Sequence, residues 1–367
     1  MGRSLDVRLC LEPQAPSVRS RNMTAPQIIR AGNSRLIFVD DGLPGLTRRK
    51  AGKGWGYWDA KGTRVTDRDE IDRLNRIALP PAYIDAWFCP ADNGHILATG
   101  IDAKGRKQYR YHPDFRSYRE SEKFDGCAAF GRLLPLVRRR VEDDLKSPRL
   151  TRERAIASVV RLLDTGGIRV GNEAYAKSNA SFGATTLRMK HAAVSGSVLK
   201  LRFKAKSGQL REMKITDKSL ARFVRKMQDL PGQNLFQYLG DDGQPCPVGS
   251  SDVNDYLCET MGEHFTAKNF RTWHASALAL ELLFEADGQL PVKELATGVS
   301  ERLGNTPTIA RKSYIHPAAL ALVDSQAKWR AKVKLPRATQ WLSRYERALI
   351  AMLEHGPSAA KVMAAAA

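Results

Sequence analysis

The period of the hydrophobic pattern changes near residue 115, and this change constrains the fold more than any other feature of the chain. Before it, short apolar runs such as 35–39 alternate with turns, and a turn at 59–62 closes a predicted hairpin. After it, apolar residues recur three and four positions apart, which is the spacing of one buried helix face. This spacing is clear at Ile156, Val159, Val160 and Leu163. The pattern predicts a small β-rich domain followed by a larger, mainly helical one.

A small antiparallel sheet is predicted inside the helical part. Over residues 199–204 three apolar side chains alternate with three basic ones, which is the period of a strand. A turn at 206–208 leads into a second strand that carries Met213 and Ile215. Thr306 followed by Pro307 is typical of a helix start. Further helices are predicted over 67–79, 217–230, 251–262, 266–286 and 292–303.

These patterns divide the chain into four parts and give the fold class α+β. The predicted parts are a disordered N-terminal segment (1–26), a β-rich domain (27–112), a mainly helical domain (113–355) and a low-complexity tail (356–367). The segment HPDFRSYRE, residues 112–120, is predicted to link the two domains.

The net charge restricts the partners of the chain. Lys and Arg number 59 against 39 Asp and Glu, which leaves a formal charge of +20. Such an excess is typical of proteins that bind nucleic acid, because neutralising phosphates releases condensed counterions. No apolar run approaches the roughly 18 residues of a membrane span, and the N-terminus lacks the apolar core of a secretion signal. We therefore expect a cytoplasmic protein associated with DNA in the nucleoid, and no membrane partner.

The cysteines and histidines suggest no metal site. The five cysteines show no C-x-x-C spacing, and the seven histidines are scattered without an H-E-x-x-H pair. We expect neither a metal ion nor another cofactor.

Four segments of the helical part each offer a cation or a nucleophile. Arg169 follows a glycine pair at a predicted helix end, Lys206 lies in the hairpin turn, and Arg271 lies early in a helix. Asn305 and Tyr314 lie nine positions apart in LGNTPTIARKSYIHP. Taken singly, each residue type more often has a structural role: an arginine in a salt bridge, a lysine in a solvated turn, a tyrosine in the core.

Together these residues suit phosphodiester transesterification. A tyrosine oxygen can form a covalent intermediate, and guanidinium groups stabilise the charge that develops on the phosphate. A positioned lysine can protonate the leaving oxygen. One phosphoester replaces another, so the reaction needs no ATP.

The same five residues, in this order, resemble the active-site set of type IB DNA topoisomerases, in the compact bacterial branch similar to the poxvirus enzymes. The resemblance covers about residues 33–320 and includes segments outside the five residues. These segments are GHILATGIDAKGRKQYRYH, LLDTGGIRVGNEAYAKSNASFGATTLRMKH and LGNTPTIARKSYIHP.

The resemblance implies a role for each residue. Tyr314 would be the nucleophile that forms a 3′-phosphotyrosyl link, and Arg169 and Arg271 would bind the scissile phosphate. Lys206 would be the general acid for the 5′-oxygen. Lys204 stays open as an alternative, because the segment reads FKAKSG where the family more often has a glycine before the lysine.

Asn305 stands where the family often has a histidine as the last phosphate ligand before the tyrosine. Its amide can donate a hydrogen bond to a non-bridging oxygen but cannot become cationic. The resemblance also implies a set of DNA-contacting residues, for which core packing is the alternative in the case of the tyrosines. The set is Arg106, Lys107, Gln108, Tyr109, Tyr111 and Tyr175.

The implied function is that of an isomerase: a monomer that relaxes supercoiled double-stranded DNA without ATP or metal, its two domains forming a clamp around the duplex. A tyrosine recombinase or integrase is the nearest alternative, because it shares the chemistry. Recombinases usually carry a histidine three residues before the second arginine, where this chain has Lys268, and their DNA-binding domain is helical. A basic protein that only binds DNA is a third possibility, against which the complete five-residue set argues.

Overall fold

The computed structural model describes residues 28–31, 34–230 and 232–365, so the segment 1–26 that was predicted to be disordered lies outside the described residues. Helices and small antiparallel sheets both occur, which confirms the predicted α+β class. The chain divides into two compact units, one ending at Lys123 and the other beginning at Phe124. Within the described ranges, no helix is long and apolar enough to cross a membrane.

The first unit is built on a five-stranded antiparallel sheet in the order β4-β3-β5-β6-β7. One face of this sheet packs against the helix that begins after Asp67, whose carboxylate accepts a hydrogen bond from the N–H of Asp69, as predicted for a helix start. Phe88 and Leu74 are fully buried between sheet and helix. The elements are β1 (Ile28–Ala31), β2 (Ser34–Ile37), β3 (Leu46–Ala51), β4 (Gly54–Trp58), α1 (Arg68–Arg76), β5 (Ile84–Phe88), β6 (Ile96–Ile101), β7 (Lys107–Tyr111) and α2 (Pro113–Asp125).

The predicted turn at 59–62 is present, and the hairpin around it is short. The Asp59 carboxylate accepts hydrogen bonds from the N–H groups of Lys61 and Thr63. Across the turn, the Asp59 N–H donates to the Thr63 carbonyl at 2.8 Å and the Val65 N–H to the Tyr57 carbonyl at 2.9 Å, on either side of the pairing of Arg64 with Trp58. The chain then leaves the sheet for α1, so the longer pairing of β4 is with β3.

The segment 112–120, predicted as a linker, forms most of helix α2. Pro113 occupies the first helical position, where a missing N–H costs nothing. Phe115 packs edge-on against the His95 ring, with centroids 5.0 Å apart, and thereby joins this helix to the first unit. The unit boundary at Lys123 therefore falls later than the predicted boundary at 112.

The second unit is mainly helical and contains the predicted small sheet, in the order β10-β9-β8. Each helix predicted in this part is present, with ends shifted by a few residues. The elements are α3 (Cys127–Lys146), α4 (Arg152–Gly166), α5 (Glu173–Asn179), β8 (Ala192–Ser195), β9 (Val198–Lys204), β10 (Leu210–Thr216), α6 (Lys218–Gln228), β11 (Gln237–Leu239), β12 (Pro245–Pro247), α7 (Ser250–Met261), α8 (Ala267–Glu285), α9 (Val292–Leu303), α10 (Pro307–Ser313), α11 (Pro317–Ala321), α12 (Gln326–Lys332), α13 (Arg344–His355) and α14 (Ala359–Ala365).

The core of the second unit lies among α3, α4 and α8. Trp273 and Phe130 are fully buried there, and the predicted apolar face of α4 packs in the same cluster. Strand β9 turns its apolar residues inward and its basic residues outward, as its alternation predicts. Within the low-complexity tail, residues 359–365 form helix α14, and the N–H of Ala359 donates to the Asp125 carboxylate at 2.7 Å.

Candidate active site

Arg169 lies in the loop that follows α4, and backbone contacts fix this loop. The N–H groups of Ala184 and Thr185 donate to the carbonyls of Arg169 and Val170, at 2.9 and 2.7 Å. A side chain at Gly183 would place its Cβ 2.6 Å from the Arg169 carbonyl oxygen, so only glycine permits this approach. The SFGATTL segment therefore holds the Arg169 loop in place.

Arg271 lies in the second turn of α8 and is only 3% exposed. Its Nη1 donates to the carbonyl oxygens of Gly167, at 2.5 Å, and Leu303, at 3.0 Å. Gly167 is the C-cap of α4, and Leu303 is the last residue of α9. Its Nε is buried without a hydrogen-bond partner among the described residues. Burial lowers the pKa of Arg271 to about 10, so the guanidinium stays charged at neutral pH.

Tyr314 is the C-cap residue of helix α10 and directly follows its last residue. Thr306 caps the start of this helix, its side chain accepting from the N–H of Ile309, and Pro307 is the first helical residue, as predicted. The Tyr314 N–H donates to the Ala310 carbonyl at 3.1 Å. Ser276 of α8 is fully buried, and its hydroxyl lies 3.4 Å from the Tyr314 carbonyl oxygen. The backbone of the tyrosine is thus held from two helices.

The structure brings the two predicted arginines to the predicted tyrosine. Arg169 Nη1 donates to the Tyr314 hydroxyl at 2.8 Å, across 145 positions of sequence. The Arg271 guanidinium carbon lies 4.7 Å from the centre of the Tyr314 ring. Burial raises the pKa of Tyr314, but the charges of Arg271 and Arg169 outweigh burial and leave this pKa below its ordinary value. The arrangement favours the phenolate.

Asn305 lies between α9 and α10, and both polar atoms of its amide are buried without a hydrogen-bond partner within the described ranges. Thr306, not Asn305, caps the following helix. Buried amide groups normally have partners in folded proteins. An unsatisfied amide at this position is therefore suited to an external ligand.

Lys206 begins the tight turn Lys206–Gly208 at the tip of the β9–β10 hairpin and is exposed. Lys204 is also exposed, but it lies on the outward face of β9. The residue between them, Ala205, lines a small pocket together with Arg169 and Arg271. The hairpin tip therefore lies beside the two arginines.

The same pocket contains an arginine that sequence reasoning missed. Arg211 of β10 lines it with Arg169 and Arg271. Arg211 alternates with Met213 and Ile215, the two apolar residues that the sequence analysis placed on this strand, and lies on the same, less exposed face. A charged residue at an inward-facing position was the sequence signal that could have identified it.

The tyrosines predicted to contact DNA lie in the first unit, on the last strand of its sheet. Tyr109 and Tyr111 are each 40% exposed and their rings stack, with centroids 5.8 Å apart. Gln108 points to the other face of the strand and donates to the Asp102 carboxylate at 2.9 Å. The two tyrosines thus share one face, and Gln108 does not belong to it.

The basic residues predicted to contact DNA are paired with carboxylates. Arg106 makes two hydrogen bonds to Asp102, at 2.7 and 2.9 Å, and Lys107 lies 2.7 Å from Asp41. Tyr175, in the second unit, is exposed in the first turn of α5.

A buried ion cluster joins three helices of the second unit. Arg138 of α3 makes two hydrogen bonds to Asp164 of α4, at 2.8 and 2.9 Å, and two to Glu346 of α13, at 2.7 and 2.9 Å. Trp273 of α8 donates its indole N–H to Glu346 at 2.9 Å. Asp164 precedes Arg169 by five positions, and Trp273 follows Arg271 by two, so the cluster supports the elements that carry both arginines.

Comparison with known proteins gives the class of the chain. Residues 112–332 match the family described as the catalytic core of eukaryotic DNA topoisomerase I, and residues 54–102 match the N-terminal domain of bacterial DNA topoisomerase IB. Both descriptions define a type I DNA topoisomerase.

Individual relatives agree with this class. DNA topoisomerase 1B of Acanthamoeba polyphaga mimivirus is 30% identical over 301 residues, which cover 78% of this chain and 90% of that protein. DNA topoisomerase 1 of Mycosarcoma maydis is 29% identical over 232 residues, which cover 57% of this chain but 23% of that longer protein. The chain belongs to the type IB DNA topoisomerase family, which confirms the predicted family, enzyme class and function at that level.

Proposed function

We propose that the chain relaxes supercoiled double-stranded DNA by breaking and resealing one strand through Tyr314, without ATP or metal. One observation carries this proposal: the Tyr314 hydroxyl accepts a hydrogen bond from Arg169 at 2.8 Å and its ring lies against Arg271. An oxygen nucleophile between two cations is what attack on a phosphodiester requires.

The reaction conserves the number of phosphoester bonds. The Tyr314 hydroxyl gives its proton to solvent and its oxygen attacks the phosphorus. The bond from phosphorus to the 5′-oxygen breaks, and the 5′-strand leaves as an alcohol with a proton from the general acid. The tyrosine is then esterified to the 3′-phosphate. The 5′-hydroxyl reverses the step after the duplex has rotated, and its proton returns to the acid. Because one ester replaces another, the bond energy is kept and no nucleotide is consumed.

Arg169, Arg271 and Asn305 would hold the scissile phosphate. Arg271 is fixed through Nη1 and retains a buried Nε, while the Asn305 amide has no partner in the described part of the chain. These preset N–H groups suit the non-bridging oxygens of a phosphate that gains charge in the transition state. Arg169 contacts the nucleophile itself and is suited to stabilise the phenolate.

Lys206 would protonate the leaving 5′-oxygen. The tip of the hairpin lies beside the arginine pocket, because Ala205 lines that pocket. Lys204 belongs to the outward face of β9, which favours Lys206 over Lys204 for the role. An ammonium at the tip of a turn can approach a bound phosphate without displacing the core.

The stacked Tyr109 and Tyr111 would contact the duplex from the first unit, and the exposed Tyr175 from the second. Gln108, Arg106 and Lys107 remain proposed contacts, but each would have to exchange a carboxylate partner for DNA. We propose that one copy of the chain acts alone, that its two units clamp the duplex from opposite faces, and that it works on the nucleoid in the cytoplasm.

The test is relaxation of supercoiled plasmid in EDTA without ATP. Tyr314→Phe should bind DNA as the parent does, because the ring still packs against Arg271. It should lose both relaxation and covalent capture of the cleaved strand, because the attacking oxygen is gone. Binding is measured by gel shift and capture by denaturing gel after rapid mixing with detergent.

The proposal fails if Tyr314→Phe still relaxes plasmid at about a tenth of the parent rate, a loss far below the usual effect of removing a nucleophile. Relaxation by the parent that needs added ATP would contradict the energetic argument. Ser313→Ala, one residue earlier in the chain, is the matched control and should keep relaxing plasmid.

A further inference from the structure

Arg211 occupies an unusual place on the hairpin that carries Lys206. The register of the sheet pairs Arg211 with Phe203, so both lie near the tip and on the inward face. Phe203 is buried, and Arg211 is half-buried. An arginine here gives up part of its hydration, which is costly unless its N–H groups find acceptors.

The two Nη groups find acceptors at the end of another helix, while the Nε is buried without a partner among the described residues. Arg211 Nη1 donates to the carbonyl of Glu301 at 3.2 Å, and Nη2 donates to the carbonyl of Arg302. Both carbonyls belong to the last turn of α9, where unpaired carbonyl groups attract a cation. The hairpin is thereby tied to the helix that leads directly into Asn305.

Gly304 fits this contact closely. A Cβ at Gly304 would lie 2.2 Å from Arg211 Nη1, so the guanidinium fills the space of the missing side chain. Gly304 also has φ +61°, which glycine adopts without strain. The junction of α9 and α10 is thus shaped to receive an arginine from the hairpin.

The contact has an electrostatic cost that argues for a function. Arg169, Arg211 and Arg271 line one small pocket, and no carboxylate lines it among the described residues. Burial and the nearby Arg302 lower the pKa of Arg211, and Arg211 in turn adds to the repulsion at Arg271. A neutral side chain would fill the same volume without repulsion. The presence of the Arg211 guanidinium at this place is therefore better explained by a function, namely that it fixes the position of the hairpin.

We propose that Arg211 is a positioning residue that holds the β9–β10 hairpin against the end of α9, so that Lys206 meets the leaving 5′-oxygen. The inference rests on the proposed role of Lys206 as general acid. Both Nη groups of Arg211 are engaged with α9 carbonyls, which favours a role through Lys206. Its Nε is buried without a hydrogen-bond partner among the described residues, so direct binding of the phosphate is the outcome that the test has to exclude.

The test compares two DNA substrates in single-turnover cleavage. One is ordinary DNA, and the other carries sulfur in place of the bridging 5′-oxygen, so its leaving thiolate needs no proton. Arg211→Met keeps an unbranched apolar side chain and removes the guanidinium group. On ordinary DNA it should cleave on the order of 10²-fold more slowly, the cost of a displaced catalytic group. On the sulfur substrate it should cleave at close to the parent rate.

Two controls separate the possible failures. Lys206→Ala should show the same selective loss. If it slows both substrates equally, the proposed role of Lys206 fails, and with it the basis of the inference. Arg202→Met removes an arginine from the outward face of the same hairpin, where it is 72% exposed and paired with Glu212 at 2.8 Å. It should cleave both substrates as the parent does.

The inference is overturned if Lys206→Ala is selective but Arg211→Met slows both substrates equally, since Arg211 would then bind the phosphate or support the fold. It is also overturned if Arg211→Met slows neither. The ratio of the two rates is internal to each preparation, so partial unfolding does not alter it. Arg211→Lys, which can still donate to the α9 carbonyls, should recover part of the lost rate on ordinary DNA.

Discussion

At the scale of single residues, the side chains of the site differ in how their polar groups are satisfied. Arg271 is fixed by two backbone carbonyls, and Arg169 by its own loop and the Tyr314 hydroxyl. Asn305 has no partner for either amide atom in the described part of the protein. Substitution of Asn305 therefore tests directly whether a buried polar group of this site binds the scissile phosphate.

Asn305→Ala should slow cleavage by on the order of 10²-fold, because one transition-state donor is lost. Its melting temperature should stay near that of the parent, since the helix cap is Thr306 and the amide bonds to no described residue. Single-turnover cleavage and thermal unfolding, measured on the same preparation, check both parts. Normal cleavage with a lowered melting temperature would assign Asn305 a structural role.

Asn305→His should keep substantial activity, because an imidazole N–H can donate in place of the amide. It should add a pH dependence between about pH 6 and 7.5 that the parent lacks at this position, since histidine titrates there and asparagine does not. Rate against pH for the parent and this variant provides the measurement. Identical pH profiles would mean that residue 305 does not contact the reacting phosphate.

At the scale of elements, the ion cluster of Arg138, Asp164 and Glu346 ties α3 to α4 and α13. Burial alone would raise the pKa of both carboxyl groups. The His274 hydrogen bond and the charge of Arg138 nevertheless hold the pKa of Asp164 below its usual range, and the hydrogen bonds and charge of Arg138 do the same for Glu346. A carboxylate with a lowered pKa contributes stability above its unfolded pKa of about 4, and this contribution is lost as the pH falls through the folded pKa. The cluster should therefore stabilise the folded protein at neutral pH and lose this stabilising effect in acid.

Arg138→Met should lower the free energy of unfolding by about 3–5 kcal/mol at pH 7, because it removes the guanidinium that two buried carboxylates share and leaves Asp164 only the His274 imidazole, 3.3 Å away. The deficit should shrink below about pH 5, where protonation removes the uncompensated charge. Urea unfolding at pH 7 and pH 4.5 measures both effects. A deficit that does not change with pH would mean that lost packing, and not charge, explains it.

Arg132→Met is the matched control for this cluster. Arg132 pairs with Glu354 at 3.0 Å and so joins the same helices, α3 and α13, but its side chain is 60% exposed. Exposed pairs contribute about 1 kcal/mol or less because solvent screens them. A loss equal to that of Arg138→Met would contradict the importance of burial.

At the scale of the whole molecule, the charge of +20 sets how DNA binding depends on salt. If about eight phosphates are neutralised, the logarithm of affinity should fall with the logarithm of salt at a slope near −7. Relaxation should then pass from processive to distributive as salt rises, because the enzyme leaves the plasmid between events. Binding titrations at several salt concentrations measure the slope. A slope shallower than about −2 would mean that the basic charge does not face the duplex.

Much of the fold follows from local pattern. The alternation at 199–204 and the apolar stripe of α4 identify a strand and a helix because their periods are properties of the backbone. Thr306 and Pro307 mark the start of α10 because the first N–H groups of any helix lack partners. The turn at 59–62 was predicted correctly together with a short hairpin around it, but the pattern did not predict that the longer partner of β4 is the preceding strand β3.

The sequence by itself predicted the fold class, because periodicity belongs to the local backbone, and it predicted the family and the five residues of the candidate site, because the motifs that resemble the family are continuous stretches of sequence. Only the tertiary structure decided that Arg169 and Tyr314, 145 positions apart, share a hydrogen bond. It also decided that Arg106 and Lys107 have carboxylate partners, and that Arg211 reaches across to the end of α9. Such contacts depend on how separate elements pack, and packing depends on the shape and volume of side chains that are distant in sequence.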